Sequence, residues 1–407
     1  MSLEGSALGR VGSRSPRPAT PSLLRALNDR AALDLLLAHG SLSRSQIGRL
    51  TGLSKPTASQ LLDRLERAGL VESIGPSEGG LGRKSVLYQV NPTAGYAAAL
   101  DVTPSRIEAA IADLTGAIIG RHVLATPRGT HHPQANVLAC LEGALGQTGL
   151  TVRDLDAVVI GAPGSIDPAT EQLRYAKHLT GWHQPGILTS LAEAIGTDIR
   201  VENDVNLAAT AEHRAGAAAG CEDFFLFWAD EGLGGALMLG GQLYRGATGG
   251  AGEIGFMQGS GEDLVRRVRR ENSGGFQRYA GPAQIVPLAR RFGLAGKTAA
   301  AVVAAAVKAD VEGGPTRGGE FLDELATRFA GGLASIIAVI DPAMVVLSGG
   351  TAAAGGEALR GRIQAQLRDL AMAHPDVVLS TVPDNPVLAG GLGSALELAR
   401  EAIFTTG

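Results

Sequence analysis

The chain has 407 residues, of which 45% are apolar and 19% charged, and its formal net charge is −4. These proportions are those of an ordinary globular protein, and the length predicts about two or three domains. The apolar runs are short and the N-terminus has no signal-peptide core, so we expect no membrane span and a cytoplasmic protein. The two cysteines, Cys140 and Cys221, lack the spacing of a disulfide framework or a zinc site.

Charge is distributed unevenly along the chain. Residues 1–95 hold 12 Lys and Arg against 7 Asp and Glu, whereas the remaining residues hold 24 against 33. A small basic module joined to a larger acidic one indicates two tasks, the first of them near a polyanion.

The N-terminal region begins with residues 1–21, which are rich in Ser, Pro and Arg and are predicted to be a disordered arm. Apolar residues then recur at spacings of three and four, which predicts a helix that ends at Gly40. The residues at these spacings are Leu23, Leu27, Ala31, Leu35 and Ala38. SLSRSQIGRLTG predicts a second, short helix with Ser43 as its cap and Gln46 at the capping-box position.

A third helix is predicted from LSKPTASQLLDRLERAGL, with Ser54 as its cap and Pro56 in its first turn. Its predicted apolar face is Ala58, Leu61, Leu62, Leu65 and Ala68. The opposite face is polar and basic and consists of Lys55, Thr57, Ser59, Gln60 and Arg64. VESIGPSEGGLGRKSVLYQV follows and predicts a β-hairpin with Arg83 and Lys84 at its Gly-rich tip.

These features together are typical of a winged helix-turn-helix DNA-binding domain, which we assign to residues 22–92. The polar face of the third helix is predicted to enter a groove of double-stranded DNA, while Arg83 and Lys84 are placed to reach phosphates or the minor groove. The alternative is a three-helix packing module whose polar face is simply solvated.

Residues 93–407 alternate strand-like and helical patterns, with Gly or Asp after several strands. This order predicts an α/β fold that holds ligands at the carboxyl ends of its strands. YAAALDV, RIEAAIADL and AIIGRHVL predict a β-meander, and a helix near 134–147 and a buried strand in DAVVIGAPGSID follow.

Three motifs in this region resemble the ROK family, which groups sugar kinases with transcriptional repressors in a two-lobed actin-like (RNase H-like) fold. They are VENDVNLAATAE at 201–212, GLGGALMLGGQLYRGATGGAGEIG at 232–255 and VVLSGG at 345–350. The preceding winged helix-turn-helix resembles the repressor branch of the same family. The resemblance implies that residues 93–407 form a ligand-sensing and oligomerisation domain with a sugar-kinase fold.

The resemblance also implies a sugar site. Asp204 matches the family's catalytic base, Asn203 matches a sugar-binding amide, and Glu253 matches an acceptor for sugar hydroxyls. A carboxylate beside a carboxamide suits a polyol, because one accepts hydrogen bonds and the other both donates and accepts them. The alternative for this stretch is a strand-to-helix turn in which Asn or Asp caps the following helix.

The phosphate loops of the family kinases are altered here. Their D-x-G-x-T-x loop corresponds to DVTPSR, which keeps Asp101 and Ser105 but has Thr103 for the glycine and then Pro104, which lacks an N–H. Their G-T-G-x-G loop corresponds to DEGLGG, where Asp230 and Glu231 would repel a triphosphate. The glycines that remain, interpreted as parts of vestigial phosphate loops, are Gly232, Gly234, Gly235, Gly349 and Gly350.

The family's zinc motif is absent as well. Its A-G-E-x-G-H segment has Phe256 in place of the His, and residues 257–276 contain no Cys. Phenylalanine offers no metal ligand, so we expect no metal and no cofactor. In place of the metal, we expect the buried ring of Phe256 to hold this loop.

The sequence therefore predicts a sugar-responsive transcriptional repressor of carbohydrate-metabolism genes whose kinase fold has lost its enzyme activity. We expect a homodimer or homotetramer, associated with the nucleoid when bound to a two-fold symmetric DNA operator. The alternative is an active or bifunctional ROK sugar kinase that phosphorylates a hexose with ATP and uses Asp204 as its base.

Overall fold

The computed structural model describes residues 21–76, 85–126, 132–146, 148–166, 173–174, 179, 181–182, 184–259, 264–266, 268, 273–311 and 317–406. The chain forms two compact units: the first contains residues 1–94 and 401–407, and the second contains residues 95–400. None of the helices in the described ranges is both long enough and apolar enough to cross a membrane. The predicted arm lies outside the described residues except for Pro21, where the first helix begins.

The described part of residues 21–94 contains three helices and a small antiparallel sheet in the strand order β1-β3-β2. Its elements are α1 (Pro21–His39), β1 (Ser41–Ser43), α2 (Arg44–Thr51), α3 (Lys55–Arg67), β2 (Val71–Pro76) and β3 (Val86–Val90). Ser43 and Gln46 form the predicted capping box, and Ser54 caps α3 by accepting a hydrogen bond from the Thr57 N–H. The predicted starts of both helices and the two arms of the wing are thus confirmed.

The apolar spacing identified in the sequence does not coincide with the buried face of α1. Leu27 is 56% exposed, and Ala31 and Ala38 are also exposed, whereas Leu33 and Leu36 are buried. The helix is so rich in Ala and Leu that a second apolar stripe has the same spacing, and only packing in the fold selects between them. Ala68 is likewise exposed, because α3 ends at Arg67.

The second unit contains two five-stranded sheets, and the first has the order β10-β7-β4-β5-β6. Its β4, β5 and β6 pair antiparallel, which confirms the predicted meander, while β4, β7 and β10 are parallel. The elements here are β4 (Tyr96–Val102), β5 (Arg106–Asp113), β6 (Ile118–Ala125), α4 (Pro133–Leu145), β7 (Ala157–Ala162), the two-stranded β8 (Ser165–Ile166) and β9 (Leu173–Arg174), α5 (Ile187–Ile195), β10 (Ile199–Asn203) and α6 (Asp204–Ala215).

The other sheet has the order β13-β12-β11-β14-β15, in which β11, β14 and β15 are parallel. Its strands are β11 (Phe224–Ala229), β12 (Leu233–Leu239), β13 (Gln242–Tyr244), β14 (Met344–Ser348) and β15 (Asp376–Leu379). The helices of this part are α7 (Gly275–Ala280), α8 (Pro282–Arg291), α9 (Ala299–Val311), α10 (Arg317–Ile340), α11 (Gly350–Leu370) and α12 (Pro386–Thr406). Phe227 and Phe329 pack edge to face in the core between this sheet and its helices.

Candidate functional site

The exposed surface of α3 begins at its first residue. Lys55, Thr57 and Gln60 are exposed, whereas Ser59 is half-buried. The Thr57 hydroxyl lies 2.8 Å from Ser54 Oγ, so its orientation is set by the helix cap. Lys55 therefore presents a cation and Gln60 an amide that can donate and accept, which are the side-chain types that bind phosphates and base edges.

Arg44, which the sequence patterns do not single out, joins α2, α3 and β3. Its guanidinium donates to Tyr88 Oη at 2.9 Å, Ser59 Oγ at 3.1 Å and Asp63 Oδ1 at 2.8 Å. It also lies 5.2 Å from the centroid of the Tyr88 ring. Ser59 is thus engaged in holding α3 against the wing. The sequence offers no local signal for this contact, because Arg44 and Tyr88 are 44 positions apart.

Arg64 is directed towards the body of the first unit. It donates from Nε to Asp29 Oδ2 at 2.9 Å and from a terminal nitrogen to Asp29 Oδ1. The guanidinium of Arg64 thus pairs with Asp29 of α1, and its predicted contact with DNA stays a prediction. Arg83 and Lys84 lie outside the described residues.

The second unit contains a cleft of about 1480 Å³. Among its described lining residues, six are carboxylates and only Arg106 is a cation. The carboxylates are Asp101, Asp204, Asp230, Glu231, Glu253 and Asp384. Trp182 and Trp228 also line the cleft and were not sequence candidates. Such a combination of aromatic surface and hydrogen-bond acceptors suits a polyol better than an anion.

Two of the predicted sugar-site residues, Asp204 and Glu253, are half-buried in this cleft. Burial raises the pKa of Asp204 to about 7, and the negative charges of Asp101 and Glu253 add to the rise. Burial alone raises the pKa of Glu253 to about 7. The structure thus places two acids with raised pKa values in the same cleft.

The loop that carries Glu253 is anchored on β12. The Gly235 N–H donates to Gly252 O at 2.8 Å, and Gly252 has a φ of +88°. A Cβ atom on Gly252 would lie 1.9 Å from Gly235 O, so only glycine fits at this position. The glycines around Glu253 therefore serve to bring the acid close to the sheet.

Asn203 occupies the cap position of α6. Its Oδ1 accepts a hydrogen bond from the Asn206 N–H at 3.0 Å, and its Nδ2 donates to Gly164 O at 2.8 Å. The capping alternative raised from the sequence therefore describes its geometry. A ligand in the cleft can use only the remaining N–H and lone pair of this amide.

The turn that corresponds to the first phosphate loop is closed on itself. The Thr103 N–H donates to Arg106 O at 2.9 Å, and the Arg106 N–H donates to Thr103 Oγ1 at 3.1 Å. Pro104 has no N–H, so only the N–H of Ser105 is left for a ligand. A phosphate cradle needs several convergent N–H groups, and this turn does not supply them.

Asp101 is held by a residue that the sequence patterns do not indicate. Asn385 caps the start of α12 through its Oδ1 and donates from Nδ2 to Asp101 Oδ2 at 2.8 Å and to Glu108 Oε2 at 3.0 Å. Burial raises the pKa of Asp101, an effect that Asn385 and Arg106 partly offset. Asp101 is therefore part of an internal network that links β4, β5 and α12.

The glycines of the second loop differ in their surroundings. A Cβ atom on Gly235 would lie 2.2 Å from the ring of Phe225, and one on Gly234 would lie 3.0 Å from Val205. One on Gly232 would meet nothing closer than 3.9 Å. Gly234 and Gly235 are thus accounted for by packing. Further along the chain, Gly349, with a φ of +91°, lies between β14 and α11, and Gly350 is the first residue of α11.

At the position of the family's zinc-binding His, this chain has Phe256, whose side chain offers no metal ligand. Among the described residues, no group of three or more His, Cys, Asp or Glu is placed to hold one. The expectation that Phe256 buries its ring is wrong in part, because the residue is half-buried and lines the cleft. The loop is held by its backbone instead: the Phe276 N–H donates to Met257 O at 2.7 Å, and a Cβ atom on Gly274 would lie 2.2 Å from the Phe256 Cα.

The sequence model of the ROK family matches residues 97–401, which is most of the second unit. The chain belongs to the ROK family. A model of the MarR family matches residues 27–80 in the first unit. The fold is therefore a winged helix-turn-helix followed by the two-lobed, actin-like fold of ROK proteins, as the sequence predicts.

Relatives of this ROK protein include a putative xylose repressor of Caldicellulosiruptor sp. (strain Rt8B.4), with 26% identity over 58% of this chain and 59% of that protein. The DNA-binding transcriptional dual regulator NagC of Escherichia coli (strain K12) is 27% identical over 65% of this chain and 64% of that protein. The matches thus span about three fifths of the length of these relatives.

One solved structure matches almost the whole chain. It is a ROK family transcriptional regulator described as a homologue of the E. coli MLC protein, with a TM-score of 0.73 and 17% identity. The match covers 94% of this chain and 100% of the other. At this identity the similarity establishes the shared fold.

Proposed function

We propose that this ROK protein is a sugar-responsive, DNA-binding transcriptional regulator that represses carbohydrate-metabolism genes and senses its effector in the cleft. One observation carries the proposal: the turn between Thr103 and Arg106 uses its own N–H groups internally, while the acids Asp204 and Glu253 remain in the cleft. Loss of the phosphate cradle with retention of the sugar-binding side suits a sensor and not a phosphotransferase.

The first unit supports the DNA-binding half of the proposal. Lys55, Thr57 and Gln60 form an exposed polar surface on α3, and Arg44 fixes that helix against the wing. The names of two relatives support this half as well: one is a putative xylose repressor, and the other is a DNA-binding transcriptional dual regulator. We expect a homodimer or homotetramer on an operator with two-fold symmetry, because paired half-sites need paired winged helices.

The second unit supports the sensing half. A sugar is held by Asp204, by Glu253 and by the free N–H and lone pair of the Asn203 amide, and it favours one of two arrangements of the protein. The two arrangements differ in their affinity for DNA. For the ligand to act in this way, its affinity for the two arrangements must differ as well.

The second candidate function is that of an active sugar kinase. A specific observation favours it: Asp204 has a pKa of about 7, which suits a general base that accepts a proton from a sugar hydroxyl. Against it stands the lack of convergent N–H groups at 103–106 for the phosphates of ATP.

One experiment separates the two candidates. DNA ligands are selected from random duplexes with the full-length protein, and their affinity is measured by fluorescence anisotropy with and without xylose, glucose and N-acetylglucosamine. We expect one sugar to change the DNA affinity, and we expect no sugar-dependent consumption of ATP. If the wild type consumes ATP in the presence of a sugar and Asp204→Ala does not, the kinase becomes the better-supported function and the sensor proposal is wrong.

A further inference from the structure

Glu253 and Phe256 lie on the same side of one short turn. The chain forms a 3₁₀ helix over Ile254–Phe256, and the Phe256 N–H closes it by donating to Glu253 O at 3.1 Å. Side chains three residues apart in such a turn eclipse one another, and both of these residues line the cleft. Ile254, between them, is buried in the hydrophobic core instead. The turn therefore presents a carboxylate and an aromatic ring side by side to a ligand in the cleft.

Backbone contacts hold this turn in place. A Cβ atom on Gly274 would lie 2.2 Å from the Phe256 Cα, and one on Gly255 would lie 3.1 Å from Leu233 O. The neighbouring backbone thus packs directly against the turn. The Phe256 side chain is half-buried and forms part of the cleft wall. A substitution of this side chain should therefore leave the turn where it is.

The Glu253 carboxylate is an acceptor without a donor. Burial alone raises its pKa, and no hydrogen bond or cation among the described residues opposes the shift. Asp204, the other acid of the predicted sugar site, differs in this respect, because its Oδ1 accepts from the Val205 N–H at 2.8 Å. A sugar hydroxyl that donates to Glu253 supplies the bond that the protein leaves unmade.

Phe256 sets a different requirement on the same edge of the ligand. A hydroxyl that reaches Glu253 projects from the rim of the sugar ring, so Phe256 faces the adjoining part of that rim. A second hydroxyl placed there would lose its hydration and find no hydrogen-bond partner in the phenyl ring, which is unfavourable. A carbon that carries only hydrogen at this point buries apolar surface instead.

We infer that Glu253 and Phe256 together determine the specificity of the cleft, and that they select a deoxy sugar, which presents a hydroxyl to Glu253 and a hydroxyl-free carbon to Phe256. This inference rests on the proposed effector role of the cleft and adds the chemical class of the effector.

Sugars that differ by one hydroxyl test the inference. Glucose and xylose are each compared with their monodeoxy derivatives, one for each hydroxyl, by isothermal titration calorimetry on the full-length protein. In a series that binds, we expect one derivative to bind about tenfold more tightly than its parent sugar, because it lacks the hydroxyl that faces Phe256. Derivatives that lack a hydroxyl donated to a carboxylate should bind about tenfold more weakly than the parent.

Two substitutions of Phe256 separate its apolar character from its presence alone. Phe256→Leu stays apolar and should keep the preference within about threefold of the wild type. Phe256→His offers a hydrogen-bonding partner to the hydroxyl and should reduce the preference to less than about twofold. Phe256→Asn serves the same purpose if Phe256→His does not fold. Tyr244→His replaces an exposed aromatic residue that is not among the described residues of the cleft lining, and as the control it should leave the preference unchanged.

Each outcome bears on a different part of the argument. If a parent sugar binds and none of its derivatives binds more tightly, the inference is overturned and the sensor proposal stands. If Phe256→Leu and Phe256→His both lose the preference, or both keep it, the assigned role of Phe256 is wrong. If no sugar of either series binds, the result counts against the sensor proposal itself, and the inference falls with it.

Discussion

Arg64 of α3 and Asp29 of α1 form a two-point ion pair that joins the third helix of the winged domain to its first. Asp29 is mostly buried, with 16% of its side chain exposed, and Arg64 retains 34%. The pair holds in place the helix that presents Lys55 and Gln60, so Arg64 supports the surface that we propose to bind DNA.

Replacement of Arg64 by Ala should therefore lower the stability of the first unit. We expect a loss of about 1 to 2 kcal/mol, between the values of exposed and fully buried pairs, because Asp29 loses its ion-pair partner in a poorly solvated position. Urea unfolding of Arg64→Ala, Asp29→Ala and the double variant gives the coupling between them. A coupling near zero would show that the ion pair does not stabilise the fold.

Lys55→Ala should weaken DNA binding without changing stability, because Lys55 is exposed at the first turn of α3. If its ammonium contacts a phosphate, the slope of log affinity against log salt should fall in magnitude by about 1. Anisotropy titrations from low to moderate salt measure this slope. Lys297→Ala, which removes an exposed lysine of the second unit, is the control and should leave the slope unchanged. Equal slopes in wild type and Lys55→Ala would rule out that contact.

The sequence predicts the winged domain well where the signals are local. Capping residues such as Ser43 and Ser54 act within four positions of themselves, and both helices begin where these residues indicate. The buried face of α1 and the direction of Arg64 depend on partners far along the chain. Asp29 lies 35 positions from Arg64, so no periodicity in either helix could reveal their contact.

The glycines of the second loop provide a matched pair of substitutions. Gly235→Ala would place a methyl group 2.2 Å from the Phe225 ring, whereas Gly232→Ala would meet nothing closer than 3.9 Å. We expect Gly235→Ala to lower the free energy of unfolding by about 1 to 3 kcal/mol through overpacking. Gly232→Ala should change it by less than about 0.5 kcal/mol. Thermal unfolding of both variants is the measurement, and similar losses would contradict the packing assignment.

The cleft shows the same division between what the sequence could and could not indicate. The motif match picks out Asp204 and Glu253, and in the structure both residues line the cleft. It does not reveal that the Asn203 amide already caps α6 through Oδ1 and donates from Nδ2 to Gly164 O. Asn385 was missed altogether, because its partner Asp101 lies 284 positions away and an Asn before a Pro is common at any helix start.

The raised pKa values of Asp204 and Glu253 make the stability of the ligand-free protein depend on pH. Both acids have folded-state pKa values of about 7, above the ordinary values of 3.8 and 4.5. Between about pH 4 and pH 7 the folded protein therefore binds more protons than the unfolded chain, and stability must fall as the pH rises through this window. At pH values above these folded-state pKa values, the two acids are ionised in both the folded and the unfolded protein. They then no longer make the free energy of unfolding depend on pH.

Asp204→Asn should flatten this fall, because the amide keeps its volume but cannot lose a proton. The free energy of unfolding, measured by urea titration at intervals from pH 5 to pH 8, should decrease less in Asp204→Asn than in the wild type. Glu253→Gln should act in the same direction, although the loss of its charge also lowers the pKa of Asp204. Asp369→Asn removes an exposed acid near the far end of α11 and serves as the control. Parallel curves for wild type, Asp204→Asn and Asp369→Asn would mean that Asp204 is already ionised well below neutral pH, and with that the case for a neutral acid at the sugar site would be lost.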